Sequence, residues 1–418
     1  MKLLTSLTFA LSLATLTGAA AHADTTITYA LWGSPAEGEV WTKVAKSFEA
    51  LHPDIKVNIE VADWDSYWEK LKVQVAGGTP PDVFAMDAPL FADWQSRGVL
   101  LDMKPYIDKD PAVLDGVYPI TLKAYNAGGG IFGLPRDFQT IVLYYNKDMF
   151  DAAGLPYPTD KWSYDDLRAA AKKLTLDKNG DGTTDQWGFW DGGYDMEPFW
   201  GALVWAYGGE VVDPAAGKTL IGSPEARSAF QLLDDMWMTD KSMPTEQQLA
   251  QFGYDGFLAG VAAMGMSGHW SVPDYSTVKF HWDVAPMPLG PKGRASSVNS
   301  AGFVIAKASK NPDAAWEFVK YAFSDAGQSE LAKIGFAIPV RQTVAQSPAY
   351  LDQAVKIDHT LYVKALDYAH LKPVFKGYEE WSSAVGDALN TVWSGENSLD
   401  DGLAAAVADG DAALAKNK

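Results

Sequence analysis

Tryptophan in loops near carboxylates is the feature of this sequence most suggestive of chemistry. Sixteen tryptophans occur among 418 residues. Trp41, Trp237 and Trp316 recur with apolar neighbours at helical spacing and read as core. Others fit no such pattern. Trp32 ends an alternating apolar run, Trp64 and Trp68 flank Tyr67, and Trp190 follows Phe189 in a Gly-rich stretch. Trp200 and Trp205 precede Gly208-Gly209, Trp270 follows Gly268-His269, and Trp381 follows Glu379-Glu380. Planar rings cover the C–H face of a sugar, while carboxylates, amides or an Arg fork pair with the hydroxyls at its edge. Loop-borne indoles with acids nearby suit such a ligand, although the same rings could shield a lobe's own core.

A second motif, Asp177-Lys178-Asn179-Gly180-Asp181-Gly182-Thr183-Thr184-Asp185, carries oxygens at alternate positions with a glycine at the sixth. That is the first part of an EF-hand calcium loop, with Asp177, Asn179, Asp181, Thr183 and Asp185 as ligands. Gly188 stands where the closing bidentate Glu would be, so structural calcium is an expectation with an incomplete shell; an Asx-rich turn without metal is the alternative. Catalytic motifs are lacking: there is no Gly-x-Ser-x-Gly elbow, phosphate-cradling Gly loop, His-Glu-x-x-His or cysteine. His52, His269, His281, His359 and His370 show no metal-ligand spacing. Tyr144 and Tyr145, adjacent in a strand pattern, must point to opposite faces.

The elements that would position these residues alternate. Ile27, Tyr29 and Leu31 form a strand pattern, Val40 to Leu51 a helix, Val57, Ile59 and Val61 a strand, about Trp64 to Val75 a helix, and Val83 to Met86 a strand after prolines. Strands separated by helices imply parallel pairing with both sheet faces covered, and ligands then sit beyond the carboxyl ends of the strands. The loops beginning at Trp32, Asp63 and Asp87 should share one mouth. Ser163 and Asp166 predict a capping box for a helix through Leu174, and Ser223-Pro224 starts another to about Met238. Three segments turn from polar into strand-like without a turn signal: 133–148, 296–305 and 336–341. Several extended links between two lobes are what a hinge with a defined axis requires.

Lys2, the apolar run Leu3 to Leu16 and the ending Ala21-His22-Ala23 match a cleavable export signal. Removing those 23 residues leaves 395, more than one core normally supports. With no cysteine there is neither a disulfide nor a lipid-bearing thiol, which favours a soluble periplasmic protein. A net charge of −19, with no basic block to offset it, argues against nucleic-acid or anionic-lipid partners.

In order and spacing, five fragments resemble the extracellular solute-binding proteins of family 1, the sugar-capturing subunits of ABC importers. They are Phe48-Glu49-Ala50-Leu51-His52-Pro53-Asp54, Ala76-Gly77-Gly78-Thr79-Pro80-Pro81-Asp82-Val83, Gly133-Leu134-Pro135-Arg136-Asp137 with the strand that follows, Gly268-His269-Trp270-Ser271, and Asn311-Pro312-Asp313-Ala314-Ala315-Trp316. The resemblance spans nearly all of the mature chain. It implies a two-lobe α/β periplasmic binding protein fold, each lobe a mostly parallel sheet flanked by helices and joined by a multi-strand hinge. Residues 24–138 and 300–340 would form lobe I, and 139–299 and 341–418 lobe II.

It also lends weight to particular positions. Gly268-His269-Trp270 matches a Gly-x-Trp turn of maltose-type members that supplies a stacking ring, and Glu197-Pro198-Phe199 matches their Glu-Pro-aromatic segment. Trp32 and Glu37 follow the first strand, Asp87 the third, and Asp137 lies beside the crossing. Arg341 reads as a hydroxyl-pairing fork or an interlobe salt bridge. Tyr67, Trp200, Trp205, Tyr378 and Trp381 complete the set. The implied protein is a monomer that binds a sugar, di- or oligosaccharide, and hands it to membrane permease subunits without catalysis. A secreted glycoside hydrolase would use the same acids and rings. A quaternary amine in an aromatic cage is the third reading.

Overall fold

Residues 25–190, 196–333, 335 and 337–417 are described by a computed structural model; the expected export signal lies outside them. The strands that position the site are β1 (Thr25–Trp32), β2 (Ile55–Ala62), β3 (Val83–Asp87), β4 (Leu134–Pro135), β5 (Gln139–Thr140), β6 (Val142–Asn146), β7 (Met264–Ser267), β8 (Trp282–Ala285), β9 (Ser296–Asn299), β10 (Ala301–Ile305) and β11 (Ala369–Leu371). The first lobe is built on a sheet ordered β2-β1-β3-β10-β4. Its first three strands are parallel, as the alternation of strand and helix predicts. β10 runs antiparallel to both its neighbours, β3 and β4, because the chain enters it from the other lobe.

Helices α1 (Pro35–Leu51), α2 (Trp64–Ala76) and α3 (Ala88–Ser96) follow the three parallel strands. Ser34 accepts from the Glu37 amide and Asp63 from the Ser66 amide, satisfying orphan donors of the first turns of α1 and α2. Each helix therefore begins at the carboxyl end of its strand, which delivers Trp32, Trp64 and Asp87 to one edge of the sheet.

In the second lobe the three-stranded sheet is ordered β7-β6-β8 and is antiparallel throughout. Among the described residues of this lobe the expected parallel pairing is reduced to isolated bridges at Ser163–Leu289, Trp187–Ala262 and Trp190–Gly265. Helix α4 (Tyr164–Leu174) starts with the predicted capping box, and α5 (Pro224–Asp234) with Ser223 as cap. The alternation of β6 divides the cores: Val142 and Tyr144 belong to a cluster continuous with the first lobe, and Ile141, Leu143 and Tyr145 to the second-lobe cluster. Tyr144 and Tyr145 thus face opposite ways, and both are buried.

Two crossings run where expected, from β4 through β5 into β6 and from β9 into β10. β9 pairs antiparallel with β5 and parallel with β11, tying the links into one ribbon. The third link is displaced from 336–341. The Tyr118 amide donates to Val340 O and the Gln342 amide to Gly116 O, which keeps this stretch on the first lobe. Val344, Tyr350 and Tyr362 pack in the cluster continuous with that lobe, so the expected change of lobe at 341 is corrected. The chain passes over after β11, through residues 372–377, into helices α6 (Tyr378–Trp393) and α7 (Leu399–Lys416), whose apolar faces complete the second core.

Candidate functional site

A cavity of about 430 Å³ lies between the lobes with the crossings as its floor. The first lobe contributes Trp32, Trp64 and Asp87, the crossings Arg136, Asp137, Gln139, Asn299, Ser300 and Lys372, and the second lobe Glu197 and Trp270. Its size is that of a small-molecule site, and it combines rings with a few convergent polar groups.

On the first lobe the indoles form a wall. Trp32 meets Trp64 edge-on at 5.0 Å and stacks on Trp68 at 5.8 Å. Trp64 is 44% exposed, a costly position for an indole unless something covers it. Behind the wall Arg136 is fully buried, its guanidinium carbon 5.4 Å from the Trp32 ring centre. Arg136 Nε donates to Asp137 Oδ2 at 2.7 Å, and Glu37 Oε1 lies 3.7 Å from Nη2. These neighbours outweigh desolvation and keep Arg136 charged.

The polar centre spans the hinge. Asn299 Nδ2 donates to Asp87 Oδ1 at 3.0 Å and to Glu197 Oε2 at 3.1 Å, so one amide joins carboxylates of both lobes. Lys372 Nζ donates to the same Glu197 oxygen at 2.9 Å. Trp270 lines the same cavity from the second lobe. A Cβ on Gly268 would lie 2.1 Å from its ring, so only glycine lets the indole fold back over the turn. The Gly-x-Trp spacing thus has a steric cause.

Of the residues singled out in the sequence, Trp32, Asp87, Asp137, Glu197 and Trp270 line this cavity. Tyr378 lines an adjoining groove of about 610 Å³ that shares Trp64, Asp87 and Lys372 with it. The others are placed elsewhere. Glu37 faces a void of about 20 Å³ behind Arg136, and burial pushes its carboxyl up to about 7 against the opposing charge of Arg136. Tyr67 is buried, donating to Ala85 O. Trp200 packs on Phe230, Trp205 stacks on His370 at 4.7 Å, and Trp381, wholly buried, donates to Thr219 Oγ1. These three indoles cover the second lobe's own core. Arg341 bonds Asp325 and Val113 O within the first lobe, so it is neither a fork at the cavity nor an interlobe bridge.

Arg136, Gln139, Asn299, Ser300 and Lys372 were not anticipated. All five stand in the crossings, where polar residues interrupt strand-like sequence, and that interruption is the signal that could have found them. In the acidic loop, Asp177 accepts from the Gly180 and Gly182 amides, Asp181 from Thr183, and Asp185 from Lys178 and Asn179. Among the described residues no group of three His, Asp or Glu side chains is placed to hold a metal ion.

The sequence signature of the bacterial extracellular solute-binding proteins matches residues 32–329. A binding protein of Brucella abortus (strain 2308) is 26% identical over 404 residues, 92% of each chain. The maltotriose-binding protein of Pyrococcus abyssi (strain GE5 / Orsay) is 26% identical, over 81% of this chain and 71% of that protein. Among solved structures, the ABC substrate-binding protein Lmo0181 from Listeria monocytogenes, in complex with cycloalternan, superposes with a TM-score of 0.85 at 28% identity, covering 94% of this chain and 99% of that one.

Proposed function

The chain belongs to the bacterial extracellular solute-binding protein family, and from that premise we propose that it captures an oligosaccharide in the interlobe cavity and presents it to the membrane subunits of an ABC importer. The family binds and does not catalyse. One observation carries the sugar reading: indoles from both lobes, Trp32 and Trp64 from one and Trp270 from the other, line one cavity with carboxylates joined by the hinge amide of Asn299 and with the lysine that bonds Glu197. Rings can take the sugar faces while Asp87, Glu197, Lys372, Gln139 and Asn299 exchange partners with hydroxyls. A ligand touching both lobes shifts the open–closed balance by the contacts it gains on closure. A quaternary amine would need none of these hydrogen-bonding groups, and a hydrolase would need no hinge.

Within the same proposal, residues 1–23 direct export and are cut after Ala23, and the mature protein works as a periplasmic monomer. Mass spectrometry of the exported chain and its sedimentation test these two points. The acidic loop supports a separable proposal, calcium held by oxygens of Asp177, Asn179, Asp181, Thr183 and Asp185, with the loop amides released in exchange. Melting in millimolar calcium should exceed melting in chelator for the native loop and not for Asp181→Ala; equal melting in both overturns it.

Thermal stabilisation across a panel of maltooligosaccharides, other di- and oligosaccharides, and choline or betaine tests the main reading. Stabilisation that grows with sugar concentration, without release of product, is expected. Stabilisation by the amines alone, or turnover of the sugars, would replace it.

A further inference from the structure

Arg136 stands where a cation is expensive to keep. Its side chain is 2% exposed, and its guanidinium carbon lies over two indoles, 5.4 Å from the Trp32 ring centre and 5.7 Å from that of Trp41. Its backbone is pinned in the first crossing, where the amide donates to Ala301 O at 2.7 Å and the carbonyl accepts from Gln328 Nε2 at 2.8 Å. From that fixed base the side chain holds Asp137 through Nε and reaches Glu37 on α1 with Nη2. Arg136 and Asp137 line both the interlobe cavity and the small void behind it, so this cluster is the partition between the ligand's space and the core.

Replacing a buried ion pair by well-packed apolar side chains is often neutral or stabilising, so stability does not account for the cluster. What it touches is the turn that carries Trp32. A Cβ on Gly33 would lie 2.3 Å from Glu37 Oε2, which puts the carboxyl directly against the residue after Trp32. Trp41 is 1% exposed and meets Tyr29 and Phe303 edge-on at 5.0 and 5.6 Å, so it gives the guanidinium a fixed surface in the core. Trp32 itself is only partly buried, and the rings beside it, Trp64, Tyr67 and Trp68, all come from α2. Arg136 adds a contact from the hinge.

We propose that Arg136 and Glu37 are positioning residues for Trp32, seating its ring in the cavity wall from the hinge side, and that a bound sugar meets Trp32 and not the guanidinium; this last clause rests on the sugar-capture reading. A planar guanidinium can lie on an indole face while its N–H groups hold carboxylates at its edge. A lysine ammonium keeps the charge and loses the plane, so Arg136→Lys should leave the turn without its seat.

Fluorine NMR of the sugar-free protein labelled with fluorotryptophan tests this, with the Trp32 resonance assigned by Trp32→Phe and folding checked by circular dichroism. In Arg136→Lys that resonance should move or broaden, while that of Trp316, packed on Tyr106 in the first lobe, stays in place. Glu37→Ala should act in the same way and serves if the lysine variant does not fold. Glu37→Gln, which keeps the shape and an acceptor for Arg136, should restore the wild-type resonance, a local rescue that a purely structural residue would not give. A Trp32 resonance at its wild-type position in the folded variants, or one displaced together with that of Trp316, overturns the proposal.

Calorimetric titration with maltotriose, or with the best-bound sugar of the panel, supplies the binding arm. Arg136→Lys and Trp32→Ala should each bind about tenfold more weakly than the wild type. The double variant should bind less than about twofold more weakly than Trp32→Ala alone, because Arg136 acts through the ring already removed. Additive losses would mean that Arg136 meets the sugar itself, which also overturns the proposal. Should no sugar of the panel bind the wild type while the fluorine resonances follow prediction, the sugar-capture reading fails and the seating of Trp32 stands.

Discussion

Trp270 owes its place to the side chain missing two residues earlier. Because a Cβ on Gly268 would overlap the indole, Gly268→Ala should push the ring off its perch and leave the backbone intact, since Gly268 has φ −87°. Trp270→Ala removes the ring itself. Both variants should weaken binding of the preferred sugar about tenfold or more, ~1.4 kcal/mol, with melting temperatures near that of the wild type. Unchanged calorimetric titrations would take Trp270 out of the site. Glu37 is the residue whose role changed most, from expected ligand contact to a buried carboxyl under Arg136. Its value near 7 lies above the unfolded one, so the stability it confers is present below about pH 4.5 and is lost as pH rises through 7. Glu37→Gln should melt higher than the wild type at pH 8, by roughly 1–3 kcal/mol of stability, with the gap closing at pH 5. A gap that does not vary with pH would refute that assignment.

At the scale of elements, α2, α3 and α6 enclose the groove that continues the cavity past Trp64. Asp65, Glu69 and Lys72 recur along one face of α2, opposite Tyr378, Glu379, Ser382 and Ser383 on α6. Two helical faces bearing hydroxyls and charges suit further sugar units. Affinity should therefore rise with chain length beyond a disaccharide. Ser383→Trp, placed in the groove and away from the cavity, should reduce binding of a tetrasaccharide several-fold and leave a disaccharide nearly unaffected. Equal losses for both lengths, measured by calorimetry, would confine the ligand to the inner cavity. The sequence alone assigns Trp381 to the site. With Val385 and Leu389 at intervals of four it lies on the buried stripe, and that periodicity was the signal to follow.

For the whole molecule, the lobes also touch beside the groove, where α3 and α2 approach the start of α6. The Gly377 amide donates to Asp93 at 3.0 Å, and Lys72 faces Glu379 at 3.9 Å. Asp93 is partly buried, and burial raises its carboxyl above the usual range despite the hydrogen bond it accepts from the Gly377 amide. Removing this contact should favour the open form. Small-angle scattering of Asp93→Ala without sugar should give a larger radius of gyration than the wild type, and saturating sugar should bring the two together. Identical radii without sugar would show that the contact does not hold the lobes.

The sequence by itself determined the strand–helix alternation of the first lobe, the caps at Ser163 and Ser223, two of the three crossings, and the placing of Trp32, Asp87, Glu197 and Trp270 at one cavity. These follow from periodicity, capping and residue type, which act over a few neighbours. Only the tertiary structure decided that Arg341 stays with Asp325, that the last link runs after residue 371, and that Arg136, Asn299 and Lys372 join the cavity. It also separated the indoles facing the cleft from those sealing a core. Such choices depend on which surfaces meet across a fold, and contacts such as Arg341 with Val113, Asn299 with Asp87 and Lys372 with Glu197, each more than a hundred positions apart, leave no local pattern in the chain.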